Sequence, residues 1–498
     1  MMQLPAYPLP PLIKRLQTAI APHREVYLVG GTVRDMLRGR ASHDVDLVVP
    51  RAGMAFAREL ARALGGAFYP LDTARDTGRI ILEEDATRRY IDVAVYRGPT
   101  LEDDLRARDF TVNAMAVPLH RPTQLIDPTH GLRDLKAKVL RACSPHAFAD
   151  DPLRVLRGVR LAVALQFRIE PQTRAQMQQA VPLLEDVSPE RQRDELFRML
   201  ALPKPTAAIK TLDALGVLPY LLPELPRLHG IPQPPPHQAD VWTHTLHTVE
   251  WLGRLLTALD PHYEQDHAAD FALGFTMVRI GRYREHLAEH FRTHSHPERP
   301  LQSLLSLAAL YHDVGKAETF TRLPDGRIHF HGHPEVGAQR VARRARDLHL
   351  SNAETQRLST IVRHHMRPLL LTQTGQRPSR RAVYRFFRDT GDAGVDICLL
   401  SLADVLATYG HTLPHDFWQA HLETVRTLLE GWWEQRTAVV TPPPLLSGHD
   451  VMEQLGLRPG PLVGALLEAL REAQAAGEIQ TPNEALAFAQ RWLAERET

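Results

Sequence analysis

Cysteine is nearly absent from this chain of 498 residues, which carries only Cys143 and Cys398, far apart and without neighbours at metal-ligand spacing. That excludes a disulfide framework or a zinc ribbon, and both thiols read as buried or inert. Long apolar runs are missing too. None approaches the roughly 18 residues that a membrane span needs, and the opening MMQLPAYPLPPLIKRL lacks the apolar stretch and cleavage site of a secretory signal. A cytoplasmic protein without a membrane partner is the expectation. Nor is there an excess of charge: 59 Lys and Arg against 58 Asp and Glu leave +1, so any basic surface for a nucleic acid must be local.

What is present is length, apolar content and histidine. A chain of this size with 44% hydrophobic residues is expected to build two to four domains, each with its own core. Residues 1–140 alternate short apolar strands (26–29, 46–49 and 90–95) with helical stretches, the mark of a small α/β domain. Residues 141–230 read as helical. PELPRLHGIPQPPPH at 223–237 is a connector, because proline removes backbone donors and forbids a helix interior. Helical spacing resumes through 231–410, where many of the 26 histidines gather, and neutral imidazole is the commonest nitrogen ligand of metals. RYREHLAEHFRTHSHPERP at 282–300 reads as an exposed helix end with solvated histidines. TPPPLLSGHD at 441–450 is a second break, and amphipathic helices follow it in the 411–498 tail.

VYLVGGTVRDMLRGRASHDVDLVV carries the first chemical pattern: a strand, the Gly30-Gly31 turn, a helix bearing Arg34, and a second strand with Asp44 and Asp46. Residues two apart on a strand share a face. Carboxylates so placed can hold a pair of Mg2+ ions for an in-line displacement on a phosphate, and the glycines let backbone amides approach a triphosphate. Three blocks follow: RRYIDVAVYR with Asp92; DLRARDFTVNAMAV with Arg108, Asp109 and Asn113; and FADDPLRVLRGVRLAVALQF. In the last, Asp151 and Arg154 are expected i, i+3 on one helix and able to meet one ligand, and Arg157 and Arg160 extend the row with guanidinium forks suited to a triphosphate.

In this order, with LIDPTHGLRDLKAKVLRA and VSPERQRDEL between and after them, the blocks across residues 25–200 resemble the bacterial tRNA nucleotidyltransferase and poly(A) polymerase family of the CCA-adding type. The resemblance implies an α/β nucleotidyltransferase head with a small mixed sheet, then mainly helical neck, HD and tail domains. By it, Asp44, Asp46 and Asp92 are catalytic, with Mg2+ on the first two, and Gly30, Gly31, Arg34 and Arg108 bind the nucleotide. Asp109 lies near its sugar and Asn113 supports the loop. Asp151 and Arg154 act as a protein template for the base edges of CTP and ATP, with Arg157 and Arg160 on the phosphates, and the tRNA 3′ end is the acceptor. Two departures stand out. Ala107 replaces the commoner first arginine of the second block, and GPTLEDDLRA leaves little room for the flexible loop of full CCA-adding members. Members confined to adding CC are similarly reduced.

VWTHTLHTVE with His244, LAALYHDVGKAET with His312-Asp313, and LSLADVLAT with Asp404 give the order H, HD, D, which resembles the HD phosphohydrolase superfamily. Mixed imidazole and carboxylate ligands suit a divalent ion of unspecified identity. His333 and the pair His364-His365 stand where binuclear members place extra ligands, and Lys316 could meet a substrate phosphate. His247, His329 and His331 read as supporting or solvent-facing. The tail is expected to help hold the tRNA. Open at this point are CCA, CC-only or A-only addition, poly(A) synthesis, and a phosphohydrolase whose head only binds RNA.

Overall fold

The structure is a computed structural model describing residues 2–3, 9–40, 44–84, 87–263, 271–296 and 299–497, and it divides into two compact units. The first comprises Met1–Arg191 with Thr211–Tyr220, the second Gln192–Lys210 with Leu221–Thr498.

The first unit is built on a six-stranded mixed sheet of β1 (Tyr27–Val29), β2 (Val45–Val49), β3 (Ala67–Asp72), β4 (Thr77–Glu84), β5 (Thr87–Val95) and β6 (Ala116–Pro118). Their spatial order is β3-β4-β5-β2-β1-β6. Only β2 and β5 run parallel; the other neighbours are antiparallel. Helix α1 (Gly30–Leu37) leaves directly from β1, and α2 (Gly53–Leu64) follows β2. The Asp76 carboxylate accepts from the Gly53 and Met54 amides at 2.8 and 2.9 Å, satisfying donors that a helix start leaves open. Phe56, Ala57, Leu60 and Ala61 of α2 cover one sheet face, where Ile80, Leu82, Ile91 and Val93 are at most 3% exposed. Each such aliphatic side chain contributes about 1.5–3 kcal/mol by leaving water.

The other face divides in two. Around β1, β2 and β6 it is closed by α3 (Leu101–Arg106), whose Leu101 and Leu105 pack with Val29, Val48 and Ala116. A Thr100–Asp103 capping box starts that helix. Helix α4 (Arg154–Leu165) buries Val155, Leu156 and Val159. A Cβ at its Gly158 would sit 2.8 Å from the Phe110 ring, so glycine is what lets this helix approach.

In the second unit α5 (Val241–Ala258), α6 (Leu301–Tyr311), α7 (His333–Asp347), α8 (Asn352–His364) and α9 (Ala393–Tyr409) pack on one another. Asp240 caps α5 and a Ser351–Glu354 capping box starts α8. Two expectations are corrected here. The stretch Ala393–Thr412 is long and apolar enough to cross a membrane, but 83% of that window is buried inside the unit, and it carries Asp396 and Asp404, as a core helix can. His290, expected in water, places Nε2 2.8 Å from the buried Asp396 carboxylate, which also accepts from Arg357 at 2.7 Å. The tail helices Gly448–Leu455, Pro461–Ala476 and Pro482–Glu497 enclose a separate small core around Val451, Leu466 and Ala485. Cys143 and Cys398 are both free, and burial pushes both thiols up, in keeping with inert side chains.

Candidate active site and metal centre

The head site follows from strand register. Asp46 on β2 and Asp92 on β5 are direct partners across the parallel pair, so both carboxylates emerge on the same sheet face. Thr32 of α1 locks the β2 end: its hydroxyl accepts from the Asp46 amide at 2.8 Å and donates to the Asp44 carbonyl at 3.4 Å. Asp44 stands one residue before the strand and is exposed, so the expected shared strand is corrected by one residue. Burial pushes the Asp46 carboxyl up, the neighbouring Asp92 and Asp44 charges push it further, and Arg108 and the Gly31 amide oppose them. Gly30 has φ +65°, and a Cβ there would lie 2.8 Å from Asp46 Oδ2 and 3.3 Å from an Arg108 nitrogen. No other residue fits that approach. Asp92 is itself held through both oxygens by Arg79, at 2.8 and 2.9 Å.

The remaining site residues form a chain of pairs. Arg34 forks onto Asp35 and donates to Asn113 Oδ1 at 2.7 Å. Asn113 donates to Asp109 at 3.2 Å, and Asp109 takes two bonds from Arg157, at 2.7 and 3.1 Å. Burial works against the Asp109 charge, yet Arg157, the Phe110 amide and Asn113 outweigh it and hold the carboxyl well below the usual range. Arg108 forks onto the buried Asp104. Arg154 is 7% exposed and donates to the carbonyls of Ala147, Ala107 and Arg108 at 3.1, 3.0 and 3.4 Å.

Asp151 is not on a helix with Arg154. It closes the short helix Ala147–Asp150 in extended geometry (φ −153°), because Pro152 follows and disfavours the helical region at the preceding residue. Its carboxylate pairs with Arg191 at 2.9 Å. Arg157 and Arg160 do continue along α4 from Arg154, as expected.

The histidine cluster is assembled in the second unit from five helical elements and their ends. His244 Nε2 lies 3.0 Å from Asp404 and 3.6 Å from Asp313, and His312 Nε2 lies 3.3 Å from Asp313 and 3.7 Å from Asp404. On the other side of Asp313, His333 and His365 approach its Oδ1 at 3.5 and 3.9 Å. Their Nδ1 atoms donate to the carbonyls of Phe330 and Val362, and that of His312 to Ala309, which leaves each Nε2 lone pair turned to the cluster. The buried Nε2 atoms of His333 and His365 have no hydrogen-bond partner. Two triads able to grip an ion, His244/His312/Asp313 and Asp313/His333/His365, thus share one carboxylate. Orphaned imidazole nitrogens facing a shared carboxylate fit divalent cations.

His364 is outside this cluster. Consecutive helical residues diverge by about 100°, and its surroundings are Arg367, Asp389 and Arg363. Lys316, expected to face a phosphate, is bound to Asp313 at 2.7 Å and Gln233 at 2.8 Å. His247 stays apart, near Glu250 and Lys210, and His329 and His331 stack on each other at 5.1 Å. The sequence reading missed Gln233 and His237, both in the proline-rich connector. The His237 ring meets His244 edge-on at 5.1 Å, and burial pushes its pKa down to about 4. Only the placement of a histidine directly after three prolines hinted at a fixed position.

Residues 26–141 match the poly A polymerase head domain, residues 166–228 the probable RNA- and SrmB-binding site of polymerase A, and residues 276–409 the HD domain. An A-adding tRNA nucleotidyltransferase of Deinococcus radiodurans is 39% identical over 474 residues, 94% of this chain and 95% of that protein. The chain belongs to the tRNA nucleotidyltransferase family. A second tRNA nucleotidyltransferase, the CC-adding protein of Thermus thermophilus, is 34% identical over 95% of each chain. Among solved structures, a CCA-adding enzyme in complex with CTP superposes with a TM-score of 0.61 at 20% identity, covering 98% of this chain and 97% of that one. A Thermotoga maritima CCA-adding enzyme complexed with tRNA gives 0.57 at 21% identity, with 97% and 96% covered. At that identity the likeness is one of fold: this tRNA nucleotidyltransferase has the head sheet and helical body of those enzymes.

Proposed function

We propose that the chain extends the 3′ end of tRNA by part of the CCA sequence, adding CC from CTP without a nucleic-acid template. The observation that carries the reading is the short path from the end of β5 at Val95 to Thr100, where α3 begins. It leaves no room for the flexible loop that the family resemblance assigns to full CCA-adding members. Three relatives that match over 94–98% of this chain are named A-adding or CC-adding tRNA nucleotidyltransferases, whereas the multifunctional CCA protein of Xylella fastidiosa matches over 59% of it. The Deinococcus relative, at 39% identity, favours a second reading in which a single A is added from ATP to a tRNA already ending in CC.

In either case the 3′ hydroxyl attacks the α-phosphorus, a phosphodiester forms, and pyrophosphate leaves. Asp44, Asp46 and Asp92 are the residues that would hold Mg2+, which when bound would ease loss of the proton from the attacking 3′ hydroxyl and neutralise the charge on the leaving pyrophosphate. Gly30 and Gly31 let the amides at the start of α1 meet the triphosphate, with Arg34, Arg108, Arg157 and Arg160 as its guanidinium neighbours. Asp109 and Asn113 fix Arg157 and Arg34. Asp151 and Arg154 read the base once Arg191 releases the carboxylate. In the helical unit, His244, His312, Asp313 and Asp404, with His333 and His365, are the ligands of a divalent centre that fits a second, phosphohydrolase activity. A protein that works on tRNA is expected in the cytoplasm.

The test is product length. Transcripts ending at positions 73, 74 and 75 are incubated with the purified chain and CTP, ATP or both. CC addition extends the first by two residues and the second by one, and leaves the third alone; a single A on the third alone selects the second reading. A complete three-residue extension overturns partial addition, and long tails overturn the tRNA reading.

A further inference from the structure

The register places a row of four residues on one face of the head sheet. Tyr69 pairs with Arg79 across β3 and β4, Arg79 with Asp92 across β4 and β5, and Asp92 with Asp46 across β5 and β2. Directly paired residues project to the same face. This is the face opposite α2, since Gly78, next to Arg79, is the residue that meets Ala57 and Met54 of that helix. Tyr90 lies two residues before Asp92 and joins the row, with the Arg79 guanidinium 5.0 Å from its ring centre. At the far end Tyr69 is 54% exposed, an aromatic ring in water at the edge of the sheet.

The topology says which substrate this row can serve. Gly30 and Gly31, on the leaving-group side, follow β1, and in the sheet β1 and β5 lie on opposite sides of β2. An in-line displacement brings the attacking oxygen from the side opposite the leaving group. The hydroxyl must therefore arrive over β5, and the strand that bears it continues over β4 and β3. With about 4.8 Å between strands, Tyr69 is roughly 14 Å from Asp46 along the sheet, room for a short run of single-stranded nucleotides. Aromatic rings on an open sheet face, with a guanidinium between them, are what unpaired bases and their phosphates require.

We propose that Tyr90, Arg79 and Tyr69 form a stacking platform for the unpaired 3′-terminal nucleotides of the acceptor RNA, leading them to Asp46 and Asp92. Tyr90 and Tyr69 are base-stacking residues, and Arg79 joins the platform to the catalytic carboxylates through Asp92. The proposal deepens the nucleotide-addition reading and rests on it for the identity of the acceptor.

The experiment measures the Kd of the full-length protein for a tRNA transcript ending at position 74, which leaves two 3′ nucleotides unpaired, by anisotropy, and the KM for CTP, in wild type and in Tyr69→Ala, Tyr90→Ala, Tyr69→Phe and Tyr90→Phe. Each alanine variant is expected to weaken transcript binding about tenfold with the CTP KM unchanged, and each phenylalanine variant to restore it, because stacking needs the ring and not the hydroxyl. A blunt acceptor duplex without unpaired nucleotides is expected to bind wild type and variants alike. Unchanged transcript affinity, an effect equal on the blunt duplex, or a rise in CTP KM instead overturns the platform. If wild type binds the transcript but extends neither it with CTP nor one ending at position 75 with ATP, the addition reading fails, while the ratio of affinities still decides the platform.

Discussion

In the head, Asp46 and Asp92 face each other across two parallel strands, and the cations beside them are Arg108 and Arg79. In the helical unit, Asp313 and Asp404 are ringed by imidazoles whose outer nitrogens are mostly tied to carbonyls. Both clusters confine carboxylates, but the consequences differ. Burial leaves Asp46 with a raised pKa, whereas Asp313 is held well below the usual range by Lys316 and His312 despite its burial. A half-open site whose Asp46 resists being charged suits ions that come and go with a triphosphate. A closed cage of imidazoles around buried carboxylates suits ions that stay.

The contrast can be broken most sharply at Asp313, the carboxylate common to both triads. Asp313→Asn is expected to cut the metal content of the purified protein to about a tenth or less, read by elemental analysis, whereas His365→Ala removes only the ion on its own side. Next in size is the buried cluster of Asp396, Arg357 and His290. Asp396→Ala leaves Arg357 without its buried partner and should cost about 3–5 kcal/mol in denaturant unfolding of the helical unit.

The acid response sharpens the comparison further. His421, fully buried between Thr372 and Ser401, has its pKa pushed down to about 4 by burial. A group that must stay neutral when folded lends its full stability above its unfolded value near 6.5, and that stability drains as pH falls toward about 4. The helical unit should therefore lose up to about 1.4 kcal/mol per pH unit from this residue across that window, and His421→Gln should flatten the slope. In the head, Asp109 keeps its charge far lower, so its link to Arg157 is lost only below the ordinary carboxylate range. Asp46 behaves in the opposite sense. With its folded pKa raised, its contribution is full below about pH 3.8 and is lost as pH rises, so the ionised group burdens the metal-free head at neutral pH. Asp46→Asn should raise the metal-free Tm by roughly 2 °C or more, the smallest of these effects.

Much of this arrangement was legible in the chain. The strands at 26–29, 46–49 and 90–95 fall within three residues of β1, β2 and β5, because their apolar runs are short and bounded. The glycine turn and the aspartates were readable because their chemistry is local. What escaped depends on distance or angle. Whether His364 or His365 faces the cluster is a matter of about 100° of helix rotation, which adjacency cannot decide. His290 meets Asp396 across 106 positions. Pro152 could have warned that Asp151 and Arg154 do not share a helix, since the residue before a proline leaves the helical region. The length of α9 was hidden by Asp396 and Asp404, which interrupt an otherwise apolar core helix.

The most direct measurement compares incorporation of labelled nucleotide into truncated tRNA by wild type, Asp46→Ala and Asp313→Ala. Loss of about a thousandfold or more in the first variant, with the second still incorporating, is the expected result. Full incorporation by Asp46→Ala, or its collapse in Asp313→Ala alone, would contradict the assignment of nucleotide transfer to the head.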